Sequence, residues 1–545
     1  MLTADWVLYN GRIYTMDKRM PVAASVAISA SRILAVSDRD DLRSLLAPGG
    51  FALDLRGATL LPGFTDGHVH FLEYARRLRR LILDGVDSLE KVLDAVAGRS
   101  AQTPRGGWIL GGGWDRNLWP DPRFPNRHHL DRIAPEHPVA LDSKDGHTLW
   151  LNSRALQLIG ITRDTPDPFG GQIERDEHGE PTGILKEMAR KQAYDIIPKP
   201  PVHEDVDALR EAMSNAHAAG ITGIHDYEKS EALVRFGVLH QRGELNLRVL
   251  MHIDKDEFDS AAGAGVFTGL GDATLRIGGL KLFADGALGS RTAYMLQPFE
   301  GTDDCGICTA TKEELRERVL RASEAGIAAV VHAIGDRANR EVLDILAEAR
   351  ERGNNLRPPL RHRIEHAQLL TEADVPRFAE LDVIASIQPM HATADYEMVE
   401  KHWGARGRWA YSFRSLLAQG TRMAFGSDCP VERFDPLLGI HAAVTRRRAD
   451  GSPGPDGWQP QERLTVEQAV HGFTMGNAYA AGLEGQLGSV TPGKLADLVV
   501  LSEDIFAIGP MRIPSVKVLS TFFNGRLVYV SQCAAWRETL PPTGA

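Results

Sequence analysis

The sequence predicts an α/β protein: a distorted (β/α)8, TIM-like barrel with a large insertion after strand 1, plus a small β-sandwich domain built from both termini. Three observations lead there. Short apolar, β-branched runs recur through the middle of the chain, each followed by a helical stretch, which is the signature of a parallel sheet with crossover helices. Eight such runs can be counted in order, the number that closes a barrel. The two ends differ, with polar–apolar alternation around Asn-Gly turns.

In chain order, Trp6–Met16 alternates around Asn10-Gly11, and Val22–Val36 and Ala58–Leu61 continue in that style. Gly493–Leu501 and Val516–Val530 repeat it at the far end, around Asn524-Gly525. Residues 1–60 and 485–545 are therefore expected to form one composite domain, and residues 61–484 the barrel. The eight expected barrel strands are Leu60–Phe64, Ile221–His225, Leu247–Ile253, Ile277–Phe283, Ala328–His332, His362–His366, Val383–Gln388 and Met423–Gly426. Thr311 and Glu314 make a capping box, Leu315, Val319 and Ala322 mark a helical face, and Gly326 ends that helix. Thr465 and Gln468 offer a second box, for a helix over Val466–Ala481. The first two strands are too far apart for an ordinary connection of a few residues, so an insertion subdomain is expected at about residues 72–215.

Composition narrows the function classes. The net charge of −10 argues against a nucleic-acid partner, and 43% hydrophobic with 25% charged residues fits a globular enzyme with a small-molecule substrate. Four cysteines cannot build a disulfide framework, and the single CxxC, Cys305/Cys308, lacks the second pair of a zinc ribbon. The first residues carry no basic segment followed by an apolar one, and no run approaches a membrane span. A cytoplasmic location without membrane partners is the expectation. A homodimer is one outcome consistent with a soluble enzyme of this kind.

Candidate chemistry sits at the C-terminal ends of the apolar runs, the face where barrel enzymes place their active sites. His68 and His70 come first, in LPGFTDGHVH; in extended chain, residues two apart point to one side and can share an ion. Lys281 stands inside an apolar strand, where lysine is rare unless paired. It is either an outward lysine snorkelling between helices or a desolvated amine able to react with CO2 to a carbamate that bridges two cations. His332 ends AAVVH and His366 ends HRIEH, at equivalent positions of successive strands. Glu365 is expected to point away, into the barrel wall. Asp428 ends MAFGSD, where a carboxylate can bind a cation and exchange a proton with water.

The order HxH, Lys, His, His, Asp resembles the amidohydrolase superfamily, in the amidohydrolase-3 branch that includes N-substituted formamide deformylases. The motifs LLPGFTDGHVH, LKLFADGALGSRTA, VVHAIGDRAN, RIEHAQ, FGSDCPV and GSVTPGKLADLVVL carry the resemblance along nearly the whole chain. It implies two divalent metal ions, with zinc the expected element although iron, manganese or cobalt also suits such ligands. His68, His70 and Asp428 would hold the more buried ion and His332 and His366 the second, with N-carboxylated Lys281 bridging. It further implies a metal-dependent hydrolase cleaving a C–N bond, of amide or formamide type, through a metal-bound hydroxide, with Asp428 the catalytic proton carrier. Trp114, Asp145, His147, His225, Asp285, Arg291 and His391 are the candidates to contact substrate.

Other readings remain open at this point. A mononuclear deaminase of the same superfamily would carry a proton-shuttling Glu three residues after the fifth-strand His, where this chain has Gly335. An N-acyl-D-amino-acid deacylase would bridge its metals through a strand-end Cys at a place where none stands; Cys429, beside Asp428, is the nearest thiol in sequence. Ester or lactam hydrolysis would use the same site. A non-catalytic binding protein on a degenerate barrel would lack ligands, and all six positions are filled.

Overall fold

The computed structural model describes residues 3–144, 148–168, 171–352 and 359–537. They belong to two compact units, one of residues 1–71 and 213–545, the other of residues 72–212. In the first, eight parallel strands pair in sequence order: β1 (Phe64–Val69), β2 (Ile221–Asp226), β3 (Arg248–Asp254), β4 (Leu275–Phe283), β5 (Ala329–Ala333), β6 (Arg363–His366), β7 (Ile384–Ile387) and β8 (Met423–Phe425). Helices such as Lys312–Glu324 and Asp336–Arg352 connect them. This is the α/β barrel class that the sequence predicts, with strands buried on both faces because helices cover the outside.

The capping box of Thr311 with Glu314 forms, and so does that of Thr465 with Gln468. The helix after Thr465 is not continuous, however. It runs from Val466 to His471, widens into a π-turn over Gly472–Gly476, and resumes at Asn477–Ala480. The glycines bring this turn against β8: a Cβ on Gly472 would lie 2.6 Å from the Phe425 ring, and one on Gly476 2.1 Å from the Met423 carbonyl.

The first barrel strand also starts later than expected. Thr59–Pro62 belongs to a sheet of the chain ends, antiparallel to Leu498–Leu501 and parallel to Arg12–Tyr14. Gly63 lets the chain pass from one sheet to the other, since a Cβ there would sit 2.3 Å from Thr222 Oγ1. His68 consequently lies within β1 and His70 just beyond it.

β1 and β8 form the seam of the barrel. At its C-terminal end the Asp428 N–H donates to His68 O (2.7 Å) and the His70 N–H to Cys429 O (2.8 Å). The Asp66 carboxylate sits in the gap and accepts from the N–H groups of Ser427 (2.9 Å) and His68 (3.1 Å). Burial pushes it up to about 7. Lower down, the Asn477 amide donates to Phe425 O (2.8 Å) and Thr65 O (2.5 Å). Gly426 makes the close approach possible, as a Cβ there would meet the His68 nitrogen at 2.4 Å.

The chain ends build a four-stranded and a six-stranded sheet that share one apolar cluster, including Leu8, Val26 and Ile33 from one and Ile13, Leu498 and Phe522 from the other. Residues 72–212 form their own six-stranded mixed sheet. Trp114, Trp119 and Trp150 are buried in its core beside the helix Leu89–Gln102. Among the described residues no helix is long and apolar enough to cross a membrane.

Candidate metal centre

The seam delivers three of the expected ligands to one point. His68 Nε2 and His70 Nε2 each lie 3.5 Å from the same oxygen, Oδ1 of Asp428. One donor atom from each residue falls within 4.8 Å of the others, and a second such group consists of His366, His391 and Asp428. Zinc–nitrogen bonds of about 2.1 Å would set donors roughly 3.4 Å apart in a tetrahedron. Closing on an ion therefore asks for movements of about an ångström. The donor chemistry fits a divalent cation, and so does the buried Nε2 of His391, which has no hydrogen-bond partner.

Backbone geometry explains how these side chains converge. His366 (φ 72°) and Asp428 (φ 60°) leave their strands in the left-handed region, which a β-strand side chain avoids. At His366 the turn lets two consecutive residues reach inward. Its ring lies 5.0 Å from that of His68, while the preceding Glu365 accepts from His68 Nδ1–H at 2.6 Å. Glu365 thus faces the barrel interior, not the wall, correcting the expectation drawn from strand alternation.

Three imidazoles have one nitrogen braced and the other free, as metal-binding histidines usually do. His68 Nδ1–H donates to Glu365, His366 Nδ1–H to Gln388 Oε1 (2.9 Å), and His332 Nε2–H to the Gly286 carbonyl (2.9 Å). Arg363 supports Glu365 from below with Nε 3.0 Å from Oε1, and also donates to Ser386 Oγ (2.7 Å) and Gly67 O (2.9 Å). Burial raises the Glu365 carboxyl, but Arg363 and His68 outweigh it and hold it well below the usual range. Asp428 behaves alike: burial raises it, and the surrounding imidazoles, His68 foremost, bring it well below. Burial lowers His68 to about 4 and His332 to about 3, so both rings are neutral at pH 7 and carry a free lone pair.

Lys281 reaches the same interior from β4 and is 3% exposed. Among the described residues it makes no ion pair. Its Nζ lies instead over the rings of Tyr227 (4.7 Å) and Phe283 (4.8 Å), and burial lowers it to about 8. Tyr227 in turn stacks on His68, with centroids 3.8 Å apart and planes within 8°. His332 stands beside His366, with ring centroids 4.6 Å apart, but outside both donor groups.

The expected substrate contacts divide. His391, from the short helix Pro389–Ala394 after β7, joins the cluster. His225 is closed inside the barrel, where its Nδ1 accepts from Arg363 (3.0 Å). Asp285 is buried as well, and its carboxylate accepts the N–H groups of Tyr294 (2.9 Å), Ile334 (3.0 Å) and Gly335 (2.7 Å). It pins two loops together instead of presenting itself to a ligand, and burial pushes it up to about 7. Arg291 is exposed at a turn (φ 57°) and does not join the cluster. Trp114 is a core residue of the inserted unit, 2% exposed, its indole N–H donating to Leu141 O (2.9 Å). Asp145 and His147 lie outside the described residues.

Sequence reasoning turns Glu365 outward and passes over Arg363, Gln388 and Tyr227. The first two carry a readable signal: charged residues two apart in a four-residue strand flanked by histidines, RIEH, are hard to leave in an apolar wall. Gln388 and Tyr227 follow their strands in loops and carry none. A last feature bears on the reaction. A Cβ on Gly335 would lie 2.0 Å from the Tyr294 carbonyl oxygen, so no side chain fits at that position without moving the loop.

Known proteins resemble the chain along its length. The amidohydrolase family model matches residues 52–529. The Bacillus subtilis protein YtcJ is 32% identical, over 97% of this chain and 99% of its own. N-substituted formamide deformylase of Arthrobacter pascens is 29% identical, over 96% and 98%. Among solved structures, an uncharacterized metal-dependent hydrolase from Pyrococcus furiosus superposes with a TM-score of 0.77 at 30% identity, covering 92% of this chain and 99% of that one. The chain belongs to the amidohydrolase family and is a hydrolase of that family.

Proposed function

We propose that the protein is a metal-dependent amidohydrolase that cleaves the C–N bond of a small amide or formamide. The observation that carries this is the convergence of His68 and His70 on one oxygen of Asp428 at the barrel seam. The N-substituted formamide deformylase among its relatives supports a C–N bond as the target. His68, His70 and Asp428 would hold one cation, and His332 and His366 a second, with Lys281 between them. When bound, two such cations lower the pKa of a shared water and polarise a carbonyl.

The chain's own part is orientation and proton movement. Glu365, Gln388 and the Gly286 carbonyl fix the tautomers of His68, His366 and His332, which leaves the other nitrogen of each ring with its lone pair to offer a cation. Asp428 takes a proton from the attacking water and passes it to the departing nitrogen. Lys281, buried without a carboxylate partner among the described residues, is suited to add CO2, its amine losing one proton as the N–C bond of a carbamate forms. The carbamate would bring the two oxygens that the amine lacks.

Gly335 weighs against the deaminase reading, because the Tyr294 carbonyl occupies the space a glutamate there would need. Metal analysis of the purified protein tests the proposal: close to two equivalents of zinc is expected, one would favour a mononuclear deaminase, and none would overturn both. Screening the zinc-loaded enzyme against N-formyl, N-acyl, lactam, ester and aminoaryl compounds then identifies the bond. Faster turnover of an ester or lactam than of every acyclic amide would displace the amide assignment.

A further inference from the structure

We infer that His391 is a protein ligand of the second cation position, which it forms with His366 and the Oδ2 atom of Asp428. This rests on the two-cation reading above and adds a residue that lies outside its six-ligand pattern.

The carboxylate of Asp428 is divided between two groups of imidazoles. Its Oδ1 faces His68 and His70, whereas Oδ2 faces His391, whose Nε2 is 3.9 Å away. A carboxylate whose oxygens address separate nitrogen donors has the geometry of a bridge. His391 is 7% exposed and its Nε2 is sealed from solvent with no hydrogen-bond partner. Buried polar atoms in native proteins are nearly always satisfied, and this one, aimed at the Asp428 carboxylate, is satisfied by a cation held there.

Its ring also lies parallel to that of His366, with planes within 10° and centroids 6.1 Å apart. The Nδ1 of His366 is committed to Gln388, which leaves Nε2 for the shared position.

The local sequence ties these parts together. In the run Gln388-Pro389-Met390-His391, the first residue after the strand braces His366, Pro389 opens a helical turn, and the His391 N–H closes that turn on Gln388 O (3.1 Å). One turn thus sets the tautomer of one ligand and supplies another. Bridging by Asp428 also means that the second position does not depend on the Lys281 carbamate alone.

The test is a titration of the full-length, chelator-stripped protein with Co2+, followed by visible d–d absorption and by competition with a chelator. The wild type is expected to take up two equivalents. In His391→Gln and His391→Ala the first should bind as before and the second at least ~100-fold more weakly, beyond the range of outer-shell effects. Thermal melts of the metal-free variants report whether they fold. Should both variants lose the fold, cobalt-induced shifts on 15N-labelled histidines of the unmodified chain decide. Shifted signals from His68, His70, His332, His366 and His391 support the assignment, and a set lacking His391 overturns it. A wild type with two cations and a variant that also binds two with unchanged affinity and spectrum overturns the assignment alone, leaving His391 to face substrate. A wild type that binds only one cation overturns the two-cation reading and the assignment with it.

Discussion

On the β1/β8 side of the barrel mouth, the donors of His68, His70 and Asp428 already share a space of 4.8 Å, while on the β4/β5 side His332 joins no such group among the described residues and Lys281 rests on the rings of Tyr227 and Phe283. The first arc is assembled by backbone. Asp428 N–H and His68 O are one hydrogen bond, and the strands cannot meet without placing the side chains together. The second arc is assembled by side chains: a long lysine resting on aromatic faces and an imidazole tethered to Gly286 O. On the proposed reading, one half of the site is preorganised by closure of the fold and the other would be completed by bound cations and modification of Lys281.

Substitutions can break that contrast. Asp428→Asn should have the largest effect, since on the proposed mechanism it removes both a cation ligand shared by the two positions and the proton carrier. A fall in kcat of about 10⁴-fold is expected, the upper end for an acid–base group, with loss of bound metal by elemental analysis. Retained metal would show that the other arc suffices.

Lys281→Ala removes the lysine proposed to bridge the two cations, on the arc that the backbone does not assemble. It is expected to lose one cation of two, weakening that site about 100-fold, with partial recovery of rate on adding short carboxylic acids in place of the carbamate oxygens. Full metal content and rate would refute a bridging lysine. Glu365→Gln should act on the first arc alone, weakening its cation about 10- to 100-fold by relaxing the orientation of His68. Equal weakening at both positions, read from the same metal titration, would show that the arcs are coupled through Arg363.

The smallest effect lies below both arcs, at the foot of β6. His362 accepts the Ala329 N–H through Nδ1 (3.0 Å), and burial lowers it to about 4. Its folded pKa lies below the unfolded value, so its contribution is complete above about pH 6.5 and is lost as pH falls toward 4. Between pH 7.5 and pH 5 the fold should lose about 2 kcal/mol from this residue. Denaturant midpoints of wild type and His362→Asn should accordingly diverge at pH 7.5 and draw together at pH 5. A constant difference would remove the histidine from the account.

Much of this was legible in the sequence because barrel strands announce themselves as apolar runs, and polar residues at their ends stand out. His68, His332, His366 and Asp428 stand out that way as candidates, of which all but His332 fall in a donor group, and the spacing gives the capping boxes at Thr311 and Thr465. What escaped depends on local departures from regular structure. The start of β1 is hidden because Leu60–Phe64 reads as one apolar run, and only the close approach to Thr222 at Gly63 marks where one sheet gives way to the other. Glu365 was set facing the wall because strict alternation was assumed, and a positive φ at His366 is invisible in a residue that rarely adopts one. Asp285 and His225 were judged by strand position, which does not reveal that backbone N–H groups and Arg363 already occupy them.

The carbonyl of Tyr294, pressed against Gly335, has a consequence for ancestry as well as for chemistry. A glutamate cannot be tried at that position one substitution at a time, because every residue with a Cβ meets the loop before its own side chain can be tested. A proton-shuttling glutamate at residue 335 therefore requires the loop that carries Tyr294 to move first.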